Sequence, residues 1–178
     1  MDTYKQHNLK NSIGVFQWSS FYNKGVIRIA TRKRSLYNVD ISKAGKQKRT
    51  YKGITYDSLT EMQFMKEVIE PKLASGEITK FERQVTYVLQ DGFTMTNGEK
   101  ILPIKYVSDY DVWYSDGTFI VYDIKGQPDS VSLLKRKLFR HRYPDINLVF
   151  ICRNLKRGGW IPYDELKKLK ALEKKNKK

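Results

Sequence analysis

Cysteine is almost absent. Cys152 is the only one in 178 residues, which excludes an internal disulfide and any zinc site built from cysteine pairs. It stands in the apolar run NLVFIC and reads as a small buried hydrophobe. Histidine is nearly as scarce, and His7 and His141 lack the partner spacing of a catalytic triad or a zinc site. No run of about 18 apolar residues exists for a membrane-spanning helix, and the opening MDTYKQHNLKN lacks the apolar centre of a signal peptide. A cytoplasmic protein with no membrane partner is therefore expected. Acids are also under-represented, with 19 Asp and Glu against 34 Lys and Arg, for a formal net charge of +15.

That excess sits at the two ends. Residues 1–52 carry twelve Lys and Arg against Asp2 and Asp40, and the last fifteen residues carry seven Lys against Asp164, Glu165 and Glu173. Basic arms around a balanced centre suit a polyanion, because each neutralised phosphate releases counterions and adds affinity that does not depend on sequence. Nucleic acid is the expected partner, ahead of an anionic membrane surface. Taken alone, the tail KKLKALEKKNKK also reads as a solvated helix end.

The length suits one folded domain with appended arms. In residues 1–48, GVFQWSSFY and KGVIRIATR alternate as a hairpin would and the whole is either an arm or a dimerisation element, while SKAGKQKRTYKG, residues 42–53, reads as a basic linker. From there the signals sharpen. Ser58-Leu59-Thr60-Glu61 has capping-box spacing, and Leu59, Met62, Met65, Ile69 and Leu73 recur at helical intervals, predicting a helix over 58–74. ITKFERQVTYVLQDGF predicts a strand, and further strands are expected over 100–113 and 118–125. SVSLLKRKLFRHRY reads as an amphipathic basic helix with Val131, Leu134 and Leu138 on its apolar face. INLVFIC follows as a strand buried on both faces, which makes 118–151 a βαβ unit, and a last helix is expected near 163–174. The order α, β, β, β, α, β predicts an α/β or α+β domain over 49–165: a mixed sheet flanked by helices, followed by a basic tail over 166–178.

Charges interrupt two of these strands. In YVSDYDVWYSDGTFIVYDIKGQ, Asp109, Asp111, Asp123 and Lys125 stand where a core is expected. If the turn is a three-residue loop centred on Asp116, Asp109 lies opposite Asp123 and Asp111 opposite Val121; a two-residue Asp116-Gly117 turn would instead pair Asp109 with Ile124. Opposed carboxylates about 5 Å apart repel unless a proton or cation lies between them. Lys125 shares the face of Asp123 and could neutralise it as part of a structural ion cluster. Alternatively the acids hold a divalent metal, which binds a phosphate oxygen and acidifies a water, while the lysine orients that water or stabilises developing charge. Glu61 is either a helix cap or a further member of this site. Asp111, Asp116 and Asp129 read as strand-edge and turn residues.

Ser108-Asp109, Asp123-Ile124-Lys125 and the helical Glu61 together resemble the motif of the PD-(D/E)XK nucleases, whose core is αβββαβ. More closely, GITYDSLTEMQF, FERQVTYVL, IKYVSDYDV and VYDIKGQ resemble phage-encoded endonucleases of the Holliday-junction-resolvase kind within that superfamily, over about residues 49 to 152. Ser108 departs from the name-giving proline. The resemblance implies a restriction-endonuclease-like fold and Mg²⁺-dependent phosphodiester hydrolysis, with Mn²⁺ as a substitute. It implies that Asp109, Asp123 and the carbonyl of Ile124 bind metal, that Glu61 binds or tunes it, and that Lys125 positions the attacking water. Gln127 and Lys135 would support the site, and Lys105, Arg136, Lys137, Arg140 and Arg142 would lie against DNA.

The leading expectation is thus a homodimeric, structure-specific DNA endonuclease acting on branched DNA in phage recombination or replication, within the bacterial host. A restriction-, transposase- or repair-type nuclease on linear or damaged duplex is the second, and a non-catalytic nucleic-acid-binding phage protein the third.

Overall fold

The computed structural model describes residues 39–176, all within a unit of the chain that spans Tyr37–Lys178. His7, the hairpin expected in GVFQWSSFY and KGVIRIATR, and most of the expected arm lie outside the described residues. Where the sequence suggested a basic linker, the chain instead folds. Ser42 caps a short helix, α1 (Lys43–Lys48), accepting the Gly45 N–H at 3.0 Å. Strands β1 (Thr50–Tyr51) and β2 (Ile54–Thr55) then pair antiparallel. Arg49 makes this possible: it is buried, and its guanidinium donates to the carbonyls of Tyr56 at 2.8 Å and Asp40 at 2.6 Å, tying both ends of the segment together. Gly45 is needed for the close approach, since a Cβ there would stand 2.3 Å from the Asp40 carbonyl oxygen.

Ser58 caps the next helix by accepting the Glu61 N–H at 3.1 Å, one half of the expected capping box. This helix, α2, runs over 59–74 as Leu59–Phe64, a π turn Met65–Ile69, and Glu70–Ala74. Pro71 accounts for the wide turn. It has no N–H and crowds the carbonyl four residues back, and just before it the Glu70 N–H reaches the Met65 carbonyl, five residues back. Met62, Phe64, Met65 and Ile69 are buried, whereas Leu59, expected on the same face, is exposed on the first turn. Glu67 on the π turn accepts from Arg153 and Trp160, fastening α2 to the far end of the chain.

The single strand expected after α2 is divided into β3 (Ile78–Arg83) and β4 (Thr86–Gln90) at Gln84, whose φ of +53° turns the chain. The strand expected over 100–113 is broken in the same way. After β5 (Phe93–Thr94) come β6 (Lys100–Ile101), β7 (Ile104–Val107) and β8 (Tyr110–Tyr114), with Pro103 at one break and Ser108-Asp109 at the other. The βαβ unit forms as expected: β9 (Phe119–Ile124), α3 (Ser130–Arg142) and β10 (Asn147–Asn154), with β9 and β10 parallel. β11 (Gly159–Pro162) returns antiparallel to β10 and leads into α4 (Tyr163–Asn176).

The result is a mixed α/β architecture. The central sheet has the order β11-β10-β9-β8-β3 and is parallel only between β9 and β10, while β4 with β7 and β5 with β6 form two-stranded ribbons. One apolar cluster joins Phe64, Met65 and Ile69 of α2 to Val112 and Ile124; another joins Phe139 of α3 to Val121, Leu148, Phe150 and Tyr106. Leu166 is buried against Cys152 and Ile161, so the expected boundary between domain and tail falls inside α4. Among the described residues no helix is long and apolar enough to cross a membrane.

The apolar face of α3 differs from the sequence reading. Phe139 is fully buried, with ring centroids 4.8 Å from Tyr87 and 5.4 Å from Tyr106, while Val131 and Leu134 stand 59% and 56% exposed. The aromatic contacts set the helix rotation and leave those two residues outside. Phe139→Ala is accordingly expected to lower stability by about 3–5 kcal/mol, whereas Leu134→Ser should change it by no more than about 0.5 kcal/mol; urea unfolding of the two variants checks both.

Candidate active site

The hairpin of β8 and β9 adopts the three-residue turn. Tyr110 lies opposite Tyr122, Asp111 opposite Val121 and Val112 opposite Ile120, and the Tyr114 N–H closes the loop on the Thr118 carbonyl at 2.9 Å. Gly117 takes φ +86°, the left-handed position that such a loop needs. Asp116 accepts the Thr118 N–H at 2.8 Å, the turn role expected of it, and Asp129 caps α3 through the Ser132 N–H at 2.6 Å. One step beyond the last ladder pair, the same register brings Asp109 level with Asp123. There the Asp109 N–H donates to the Tyr122 carbonyl at 3.1 Å, and Asp109 Oδ2 accepts the Ile124 N–H at 2.6 Å.

Asp123 is 2% exposed. Its Oδ2 accepts from the hydroxyl of Tyr106, a residue buried on the α3 side of the sheet. Its Oδ1 is buried without a hydrogen bond from any described residue and faces the Lys125 ammonium at 3.0 Å. Asp111 corrects the sequence reading, because it is no edge residue: it is 2% exposed, with Oδ1 accepting from Ser108 Oγ at 2.6 Å and Oδ2 from the Tyr87 hydroxyl. Burial raises its carboxyl above the usual range, against the pull of Ser108 and Tyr87. Ser108 thus anchors the turn into β8.

Glu61 joins these acids from the first turn of α2, where Ser58 starts the helix and the Tyr110 hydroxyl holds the Glu61 carbonyl at 2.9 Å. Burial pushes its carboxyl up to about 7; the Ser58 hydroxyl and Arg83 pull the other way, and Asp57 and Asp123 add to the rise. Asp109 is raised well above the usual range by burial first and then by Glu61 and Asp123. For Lys125, burial works against the charge, but Asp123, Asp109 and Glu61 outweigh it and hold the ammonium more firmly than usual. The expected quartet therefore shares one electrostatic environment: three acids that repel one another around one ammonium.

Among the described residues no group of three or more His, Cys, Asp and Glu is arranged to hold a metal ion. The donor set still fits a small hard cation, since Mg²⁺ takes one or two carboxylates and keeps several waters. Asp123 Oδ1 is a buried carboxylate oxygen whose contact among the described residues is the Lys125 ammonium at 3.0 Å, and Asp109, level with it on the neighbouring strand, is a second, half-buried aspartate.

The supporting residues divide. Lys135 donates to the Lys105 carbonyl at 2.9 Å, and exposed Gln127 lines a groove of about 120 Å³ with Tyr163, Leu166, Lys167 and Lys170 of α4. Arg136, expected against DNA, is 13% exposed; it makes a two-pronged bond to Asp164 and lies over the Phe150 ring. Arg142 pairs with Asp91 at 3.0 Å. Lys105, Lys137, Arg140 and His141 are exposed. The sequence reading did not single out Tyr106, Tyr87 or Arg83, and the only available signal for the tyrosines was a hydroxyl in strands destined for the core.

Residues 41–159, two thirds of the chain, match the model of a family described as a protein of unknown function (DUF1064), and the chain belongs to that family. The matched span contains Glu61, Asp109, Asp123 and Lys125 and ends before α4. No curated protein matches the sequence.

The raised acids make stability depend on pH. The folded protein keeps the Glu61 proton to about pH 7, whereas the unfolded chain releases it near 4.5, so unfolding releases protons between those values and stability falls as pH rises. The contribution, up to about 3 kcal/mol, is fully present below the unfolded value and lost as pH passes the folded one; Asp109 acts in the same direction. Denaturant titrations of metal-free protein from pH 4.5 to 8 should show this decline, and Glu61→Gln, neutral throughout, should flatten it.

Proposed function

For this member of the DUF1064 family we propose metal-dependent hydrolysis of phosphodiester bonds in DNA. The observation that carries the reading is the convergence of Glu61, Asp109, Asp123 and Lys125, with the buried Asp123 Oδ1 paired to the Lys125 ammonium at 3.0 Å. Asp109, Asp123 and the carbonyl of Ile124 would hold Mg²⁺ or Mn²⁺, with Glu61 binding or tuning it. When bound, such an ion withdraws charge from a phosphate oxygen and makes a water nucleophilic near neutral pH.

The chain's own groups have separate tasks. Tyr106 fixes Oδ2 of Asp123 and so leaves Oδ1 to the Lys125 ammonium. Lys125, kept cationic by its three acidic neighbours, orients the water and neutralises charge developing on the phosphate. Glu61, whose carboxyl burial raises in the metal-free protein, gains stabilisation of its charged form when a cation is held beside it, which suits it to bind or tune the ion. The net charge of +15 supports a polyanionic substrate. We assign that substrate as branched DNA of the four-way-junction kind, handled in phage recombination or replication; two coordinated cuts then call for a two-fold pair of chains.

Cleavage of a labelled four-way junction and its matched linear duplex, with Mg²⁺ or with EDTA, tests the reading. Mg²⁺-dependent, junction-selective cutting by wild type and none by Asp123→Ala is the expected result. Equal cutting of both substrates would replace the junction assignment with a nuclease of linear duplex. Tight binding without cutting would favour a non-catalytic DNA-binding protein.

Tyr106→Phe, which removes only the hydroxyl, should weaken Mg²⁺-dependent cleavage by about 10- to 100-fold. Millimolar Mg²⁺ should raise the melting temperature of the wild type and leave that of Asp123→Ala unmoved, a readout that needs no substrate.

A further inference from the structure

The carboxylate pocket is bordered by a cation that none of its acids holds. Arg83 is the last residue of β3 and pairs across the sheet with Tyr110, next in sequence to Asp109. Its guanidinium lies 4.0 Å from the ring centroid of Tyr56, itself 2% exposed, and 5.8 Å from that of Tyr110. Arg83 Nε is buried and has no hydrogen-bond partner among the described residues. Its charge reaches Glu61, whose carboxyl it pulls toward the ionised form, yet the two form no ion pair.

This sets Arg83 apart from the other arginines around the fold. Arg136, Arg142, Arg153 and Arg157 each close on a carboxylate, and Arg49 donates to two carbonyls. A guanidinium carries five N–H donors in a rigid plane, matched to the paired oxygens of a carboxylate or phosphate. Leaving a buried donor unmet is unfavourable, and an exception of this kind in a folded protein asks for a reason. The Tyr56 ring fixes the plane of the guanidinium. The segment is also pinned at its end: Gln84 turns the chain at φ +53° and donates to Asp57 Oδ2 at 2.9 Å, on the loop that leads into α2 and Glu61.

We propose that Arg83 is a phosphate-binding residue that takes the non-bridging oxygens of a DNA backbone phosphate at the mouth of the carboxylate pocket. Carboxylates must come near this phosphate if they are to serve in its hydrolysis, and a cation held on the Tyr56 ring, close enough to act on Glu61, offsets their repulsion of the approaching anion. The assignment rests on the nuclease reading and names the group that receives its substrate.

The test is metal-free binding of a fluorescent four-way junction and its matched duplex in EDTA, by anisotropy across a salt series, for wild type, Arg83→Gln and Arg83→Lys. Arg83→Gln is expected to bind about tenfold more weakly and to show a salt dependence of log K shallower by about one. Arg83→Lys keeps the charge and should restore the salt slope while staying weaker than wild type, because it loses the planar fork. A purely structural role of Arg83 would lower the melting temperature without moving the salt slope. Should Arg83→Gln fail to fold, Arg83→Lys decides: affinity reduced several-fold in a folded protein supports the assignment, and wild-type affinity overturns it. A folded Arg83→Gln with wild-type affinity and slope overturns the assignment alone, whereas a wild type that binds no DNA overturns the nuclease reading along with it.

Discussion

In the hairpin of β8 and β9, a slip of one residue would turn every side chain of one strand to the other face of the sheet. Asp123 would leave the Tyr106 hydroxyl and enter the apolar layer where Ile124 packs with Phe64 and Met65, and Val121 would leave the cluster around Phe139. The pocket therefore depends on register. Gly117 in its left-handed conformation and the Asp116 bond to the Thr118 N–H define the loop, while Val112 and Val121, both fully buried in clusters on opposite faces, penalise any shift. The same residues that stabilise the sheet thus bring Asp109 level with Asp123.

Gathering acids in this way is electrostatically unfavourable, and the surroundings show how the protein tolerates it. Each buried carboxylate oxygen with a partner is met by a hydroxyl or an amide: Tyr106 for Asp123, Tyr87 and Ser108 for Asp111, the Ile124 N–H for Asp109. These groups stabilise carboxylates without adding a full countercharge, so the acids keep their mutual repulsion and their affinity for protons or cations. Among the described residues Lys125 is the one ammonium bonded to these acids, and Arg83 acts on Glu61 from nearby. One oxygen of Asp123 is met by a hydroxyl and the other by the Lys125 ammonium, but the three acids that influence that ammonium outnumber it, which separates this cluster from an ordinary buried salt bridge.

The basic residues sort by burial. Arg136 is enclosed, two-pronged on Asp164 and laid over Phe150, and its exchange to another anion would dismantle the contact between α3 and α4. Arg142 pairs with Asp91 where both side chains are exposed, an interaction of small net energy that a phosphate can displace. Lys137 and Arg140 are exposed on the same helix, and Lys167 and Lys170 on α4 border the groove beside Gln127. These residues, with Arg140 in a loose 3.7 Å contact with Asp164, offer the exposed positive charge that long-range attraction of a polyanion requires, which enclosed Arg136 does not.

Local patterns were enough to read α2 from its Ser58 cap and apolar spacing, the βαβ unit from β9 to β10 through α3, and the turn role of Asp116, because caps, turns and periodicity act over a few neighbouring residues. They also singled out Glu61, Asp109, Asp123 and Lys125, charged residues in apolar surroundings that local chemistry left unexplained. What local pattern could not decide was how distant parts meet. The folded segment around Arg49 depends on carbonyls reached across the loop, the rotation of α3 on the rings of Tyr87 and Tyr106, and the burial of Asp111 on a hydroxyl twenty-four residues away. The sequence by itself determined the mixed α/β order and the surplus of positive charge, and it set four charged residues in apolar surroundings. Only the tertiary structure decided which strands broke, which arginines were already paired, and that Tyr106 and Arg83 border the site, since those outcomes arise from long-range packing and pairing.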